Sequence, residues 1–224
     1  MKLRARNIRN FRRLIKDWGK ENMRDFPWRH TDDPYEVAVA ELMLRRTQAV
    51  QVAPVYREFL RSYPDTHSLA CADPDEVRDT LHSLGLHWRA QNIIDFGCAV
   101  VEKFEGQVPV SDRKLRDLPG VGPYVSAAVR CFALGEPVPL VDTNTIRVVG
   151  RVFGINTEGR ARNRKEVRQS IARCVDPDEP RLYNFSLLDF ASLVCRARDP
   201  LHDRCEFSKW RRCDHHSRGV ESGQ

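Results

Sequence analysis

The sequence predicts an all-α protein, and three observations carry that expectation. Apolar groups recur at helical spacing through most of the chain. From Arg89 to Phe104 they fall at Ile93, Gly97, Val100, Val101 and Phe104, one face of a helix. Short turns rich in Pro, Gly and Asp separate such stretches. Only residues 137–141 (PVPLV) could pass for a strand, and their prolines argue against a central one.

Taken in order, a first periodic pattern covers 5–20. Asp32-Asp33-Pro34 opens a second over 34–46. A third, 48–62, runs into Tyr63-Pro64-Asp65, and Asp73-Pro74 opens a fourth over 74–83. The helix of 89–104 is followed by a turn from Gly106 to Pro109. Pro123 suits the first position of a helix over 123–133, which Gly135 to Pro139 closes. Asp142 is a natural N-cap for 143–152. Helices over 164–175 and 181–194 flank the turn from Pro177 to Pro180. No fixed-period repeat is present, and no Gly/Ser-rich linker marks a domain boundary.

The chain has 224 residues, enough for a sizeable core and for one or two domains. With 41% hydrophobic and 30% charged residues it is neither disordered nor low-complexity. No apolar run is long enough to span a bilayer. The basic N-terminus MKLRARNIRNFRRL lacks the apolar stretch of a secretory signal, so an intracellular protein is expected. Lys plus Arg number 37 against 31 acids, a net +6 that suits a phosphate-bearing partner. Three of the seven cysteines, Cys195, Cys205 and Cys213, crowd the C-terminal end. In an intracellular chain such a cluster suggests metal before disulfide.

Three places carry chemistry. In Leu118-Pro119-Gly120-Val121-Gly122-Pro123-Tyr124, the glycines permit a tight turn and free N–H groups at the following helix start can face an anion. Asp142, as a cap, accepts backbone N–H bonds that favour its ionised form. Ionised, it can stabilise nearby positive charge; the alternative is a structural cap alone. Glu41 interrupts an otherwise apolar helix, on the face of Val37, Ala40 and Leu44. Lost hydration would raise its pKa and make it a general acid near neutral pH; the alternative is a pair with Arg45 one turn on.

LPGVG followed by a helix, with an aspartate capping a later helix, resembles the helix–hairpin–helix DNA glycosylases. Phe26-Pro27-Trp28-Arg29-His30, Asp33-Pro34-Tyr35 and Glu41-Leu42-Met43-Leu44-Arg45-Arg46-Thr47-Gln48 extend the likeness to mismatch glycosylases, over nearly the whole chain from Phe26 to Cys213. In that family the hairpin (Leu118, Gly120, Val121, Gly122) holds a DNA phosphate through backbone amides, often with a monovalent cation. A glutamate at the position of Glu41 protonates the departing base. Endonuclease III-like members have a Schiff-base lysine where this chain has Tyr124, which cannot form one. The resemblance therefore implies a monofunctional enzyme. Adenine-mismatch enzymes usually carry two glutamines where this chain has Arg45-Arg46, so thymine or uracil opposite guanine is the expected substrate. Adenine opposite guanine or 8-oxoguanine is the alternative, and a silent DNA-binding module a further one.

The same resemblance implies a two-lobed fold: a six-helix bundle over 27–136 ending with the hairpin, and a second lobe of 1–26 and 137–224. The active cleft is expected between them, with Glu41 and Tyr124 facing Asp142. Leu86 holds the position of a wedge pushed into the base stack, and Arg46, beside Arg45, a second gap-filling position. The family's [4Fe–4S] pattern is Cys-x6-Cys-x2-Cys-x5-Cys. This chain reads Cys195-x6-His202-x2-Cys205-x7-Cys213, so a cluster is favoured, with structural zinc or no metal as alternatives. The expected partner is double-stranded DNA with a mismatched or damaged base, bound by a monomer.

Overall fold

A computed structural model describes residues 3–85, 88–157, 159, 161–209 and 213. Among the described residues every regular element is helical. The α-helices are α1 (Ala5–Asn22), α2 (Pro34–Met43), α3 (Ala49–Ser62), α4 (Thr66–Ala70), α5 (Pro74–Leu81), α6 (Trp88–Phe104), α7 (Asp112–Arg116), α8 (Pro123–Phe132), α9 (Thr143–Phe153), α10 (Lys165–Cys174), α11 (Pro180–Leu193) and α12 (Glu206–Lys209). Short 3-10 turns occupy Pro27–Arg29, His82–Leu84, Ala161–Asn163 and His202–Arg204. The all-α expectation holds. The chain divides into two compact units, one of residues 25–136 and one of 1–24 with 137–224.

In the unit of residues 25–136, α2 is the central element. Every residue from Tyr35 to Met43 except Glu36 is buried, so this helix lies inside helices rather than on a surface. It starts on Asp33, whose carboxylate accepts the Tyr35 N–H at 2.7 Å, with Pro34 at the first position. It stops at Met43, three residues short of the expected 46, because Arg46 turns into the left-handed region at φ 60°. Tyr35 donates its hydroxyl to the Tyr63 carbonyl at 2.8 Å. Phe26 stacks on Trp28 at 4.9 Å, and Trp28 meets Tyr56 edge-on at 5.6 Å. Gly97 lets α6 approach α4 closely: a Cβ there would stand 2.8 Å from Leu69.

The other unit is built on α1 and α11. Ile8, Phe11 and Ile15, one stripe of α1, are buried in a core shared with α9, α10 and α11. Phe11 stacks on Phe207 at 5.2 Å and tilts against Phe153 at 5.3 Å. A Cβ on Gly19 would lie 1.8 Å from the Ser186 hydroxyl, so only glycine permits this crossing of α1 and α11. Asp189, with no exposed surface, receives the Arg24 backbone N–H at 2.8 Å and its guanidinium at 2.6 and 2.9 Å. That pairing satisfies a buried charge at the point where the chain leaves this unit. Lys16 reaches Asp176 at 2.9 Å and Glu179 at 2.7 Å, tying α1 to the turn before α11.

Candidate active site and DNA grip

The hairpin is the turn between α7 and α8. Leu118 and Val121 are buried and anchor it from below, through Leu118 N–H to the Leu115 carbonyl at 3.1 Å and Val121 N–H to the Leu118 carbonyl at 3.2 Å. Gly120 adopts φ 74°, and a Cβ there would meet Leu42 at 3.0 Å. The turn therefore rests on the residue next to Glu41. Gly122 caps α8 with open space where a Cβ would stand. Among the described residues the amides of Gly120 and Gly122 donate to no protein acceptor. Two such N–H groups beside a helix start have the donor chemistry that an anion needs. Tyr124 is the second residue of α8 and is half-buried.

A clamp keeps α7 and α8 in register. The fully buried Ser126 hydroxyl donates to the Asp112 carboxylate at 2.7 Å. Arg116 reaches the same carboxylate at 3.5 Å and Arg130 at 3.9 Å. Arg130 is held in turn by Glu136, its Nε 2.9 Å from the carboxylate.

Glu41 sits in the last turn of α2 at 6% exposure. Its burial is more complete than a one-faced helix would give, since Val39, Leu42 and Met43 on the other sides are buried too. Arg45 and Arg46 follow on the turn to α3, both exposed. Arg46 holds a positive φ without being glycine, a conformation that costs energy and is found at functional sites.

Asp142 caps α9. Its Oδ1 accepts the Asn144 N–H at 3.0 Å and the Thr145 N–H at 2.8 Å. The Thr145 hydroxyl answers by accepting the Asp142 N–H at 3.1 Å and donating to the Leu140 carbonyl at 2.6 Å. Asp142 Oδ2 accepts from the Asn144 side-chain amide at 2.8 Å. The Asn144 carbonyl oxygen accepts from Arg147 at 3.0 Å, and Arg147 continues to the Cys195 carbonyl at 2.8 Å and the Ala191 carbonyl at 2.9 Å. A continuous polar chain thus runs from the Asp142 carboxylate to the cysteine segment. Burial pulls the Arg147 pKa below its ordinary value, against the opposing influence of Cys195 and Asp142.

Cys195, Cys205 and Cys213 are all buried and belong to one apolar cluster. Arg151 donates to the Cys195 sulfur at 3.6 Å and its carbonyl oxygen lies 3.6 Å from the Cys213 sulfur. His202 points its Nδ1 at the Ser208 hydroxyl, 3.2 Å away. Three thiols and an imidazole have the donor chemistry of a cluster or zinc site. Among the described residues, however, no three His, Cys, Asp or Glu side chains are arranged to hold a metal ion. The donor set suits the group, and the described arrangement does not form its cage.

The hairpin residues, Tyr124, Glu41, Arg45 and Arg46 thus fall in the unit of residues 25–136, and Asp142 with the cysteines in the other. Leu86 lies outside the described residues. Asn144, Arg147, Asp112 and Ser126 were not expected. The first two could have been found as polar residues in the opening turns of the Asp142 helix. Contacts to Cys195 and Ala191, more than forty positions away, leave no local signal.

Residues 39–177 match the family described as HhH-GPD superfamily base excision DNA repair protein. The chain belongs to that family. It is 40% identical to a thymine-DNA glycosylase of Aeropyrum pernix, covering 87% of this chain and 89% of that one. It is 41% identical to a thymine/uracil-DNA glycosylase of Pyrobaculum aerophilum, covering 87% of each. A solved structure of a thermostable thymine-DNA glycosylase superposes with a TM-score of 0.89 at 32% identity, over 95% of this chain and 98% of the other.

Proposed function

We propose that this chain is a monofunctional mismatch glycosylase that releases thymine or uracil opposed to guanine and leaves the abasic site intact. It is a DNA glycosylase of base excision repair, a hydrolase of N-glycosyl bonds with duplex DNA as its partner. The thymine and uracil preference rests on the relatives' activities and on Arg45-Arg46 in place of a glutamine pair. The lack of lyase chemistry rests on one observation: the residue two positions into the hairpin's helix is Tyr124, a phenol and not an amine.

In this reading the Gly120 and Gly122 amides take a backbone phosphate, with room for a monovalent cation beside it. Leu86 and Arg46 fill the gap left by the extruded nucleotide. A mispaired base costs less to extrude, which supplies part of the selectivity. The buried Glu41 carboxyl gives its proton to the departing base, and the base takes the bonding electron pair with it. Asp142 stabilises the positive charge left on the sugar. Water adds at C1′, and its proton returns to Glu41. This reading gives Glu41, Tyr124 and Asp142 their roles on one nucleotide. Tyr124 stands at the position of the family's lysine without the amine that a Schiff base needs.

The cysteine segment is assigned a [4Fe–4S] cluster on Cys195, His202, Cys205 and Cys213, supported by the burial of the three thiols and by the donor chemistry of all four. Its role there is to order the segment. The protein acts intracellularly, where its DNA lies. The test is incubation with duplexes carrying T/G, U/G, A/G and A/8-oxoguanine, followed by alkali. Strand breaks in the T/G and U/G duplexes only after alkali are expected. Breaks without alkali would overturn the monofunctional assignment, and cleavage of the adenine duplexes alone would overturn the base preference.

A further inference from the structure

A groove of about 530 Å³ opens beside Asp142, in the unit of residues 1–24 and 137–224. One wall is the start of α9, with Thr143, Ile146 and Arg147. The other is the segment after that helix, with Thr157, Gly159, Ala161, Arg162 and Asn163. The second wall is fixed. A Cβ on Gly150 would stand 2.4 Å from Thr157, so glycine lets the segment lie against α9. Ile155 N–H bonds the Gly150 carbonyl at 3.0 Å, and Arg164 bonds the Asn156 carbonyl at 2.6 Å. The neighbouring Glu158 and Arg160 lie outside the described residues.

The groove is laid out by polarity. Its floor is apolar, with Ile146 and Ala161 both buried. Its rim is the exposed Thr143, Arg162 and Asn163 with the half-buried Thr157. Among the described residues lining it there are two guanidinium groups and no carboxylate. Arg147 is already bonded to carbonyls, so it contributes charge more than free donors. Arg162 has no ion-pair or hydrogen-bond partner among the described residues. An apolar floor under a cationic, hydroxyl-bearing rim matches a deoxyribose and its phosphate.

We propose that this groove seats one sugar–phosphate unit of the DNA backbone adjoining the nucleotide that reacts at Asp142, with Arg162 as its phosphate ligand. The position of the groove rests on the assignment of Asp142 to the reaction, because Thr143 of its rim directly follows that residue. The hairpin supplies a second, independent phosphate seat on the other unit. Contacts of this kind carry no base information and set register on the duplex.

The experiment measures binding to a duplex holding an uncleavable abasic analogue opposite guanine, as a function of salt. Arg162→Ala should weaken binding several-fold at low salt and reduce the slope of log affinity against log salt by about 0.9, the value of one lost phosphate contact. Arg162→Lys should restore the slope. Arg61→Ala, an exposed arginine of α3 with the same loss of charge, is the control. An unchanged slope in a folded Arg162→Ala protein overturns the proposal, as does an equal loss in Arg61→Ala. Inorganic phosphate is titrated against the native protein in parallel. A thermal midpoint raised by phosphate, abolished by Arg162→Ala with the DNA slope intact, would assign the groove to a free anion instead. Binding of the analogue needs no chemistry, so failure of Asp142 as the reacting carboxylate would show in base release and leave this result readable.

Discussion

Both carboxylate oxygens of Asp142 are engaged by its own helix, Oδ1 with two backbone N–H groups and Oδ2 with Asn144. Capping was legible from sequence because an aspartate between an apolar segment and a periodic one has few other uses. The Asn144–Arg147 continuation was not, since it depends on where α11 ends in space. Asp142→Asn keeps most of the cap, so stability should change by less than about 1 kcal/mol while base release falls by at least ~100-fold. Single-turnover kinetics with chemical denaturation check both halves. Near-normal release would remove Asp142 from the reaction. Tyr124→Lys places an amine where the phenol stood, and borohydride should then trap the variant on DNA but not the native protein. Trapping of the native chain would mean another amine reaches the sugar. Gly120→Ala meets two penalties, positive φ and the Leu42 contact, and should cost about 1–2 kcal/mol. A thermal shift within error would show that the hairpin relaxes freely.

Long helices declared themselves through their period, and their ends agreed with the expected ends to within one or two residues at most positions. Two did not. The stretch over 34–46 is apolar up to Leu44, and nothing in composition announces the left-handed turn at Arg46. The five-residue helices α4 and α7 are too short to show a period at all. Yet α7 is half of the hairpin motif, and its hold on α8 depends on Ser126 and Asp112. Ser126→Ala should cost about 1–3 kcal/mol and weaken DNA binding at low salt. Full DNA affinity in that variant would mean the clamp has no bearing on the phosphate seat. The turn before α11 predicts a pH effect. Burial raises the Asp176 pKa, but the backbone N–H groups of Glu179 and Asp178 together with Lys16 outweigh it, leaving the carboxyl below its ordinary value. Stability from that group is therefore present above the ordinary carboxylate pKa and lost as pH falls through the depressed one. Denaturation curves should show Asp176→Asn flatter than native below about pH 4. Parallel curves would exclude the linkage.

The apolar period of the chain pointed correctly to a helical protein, its net charge to a polyanionic partner, and the motif spacing to its family. The cysteine segment was the hardest part to read, because its spacing departs from the family pattern and part of it lies outside the described residues. If it holds a cluster, protein purified without oxygen should be brown, and Cys205→Ser should lose iron and sulfide together. Colourless protein with stoichiometric zinc would favour a Cys3His site. The arrangement of units also has a consequence for synthesis. The unit of residues 25–136 is continuous in sequence, whereas the other needs α1 to meet α9, α10 and α11. On the ribosome the continuous unit emerges complete while α1 still waits for its partners, its Ile8, Phe11 and Ile15 stripe uncovered. The nascent chain passes through an interval, lasting at least as long as translation of residues 137 to 193, in which the apolar stripe of α1 lacks the helices that cover it in the folded unit.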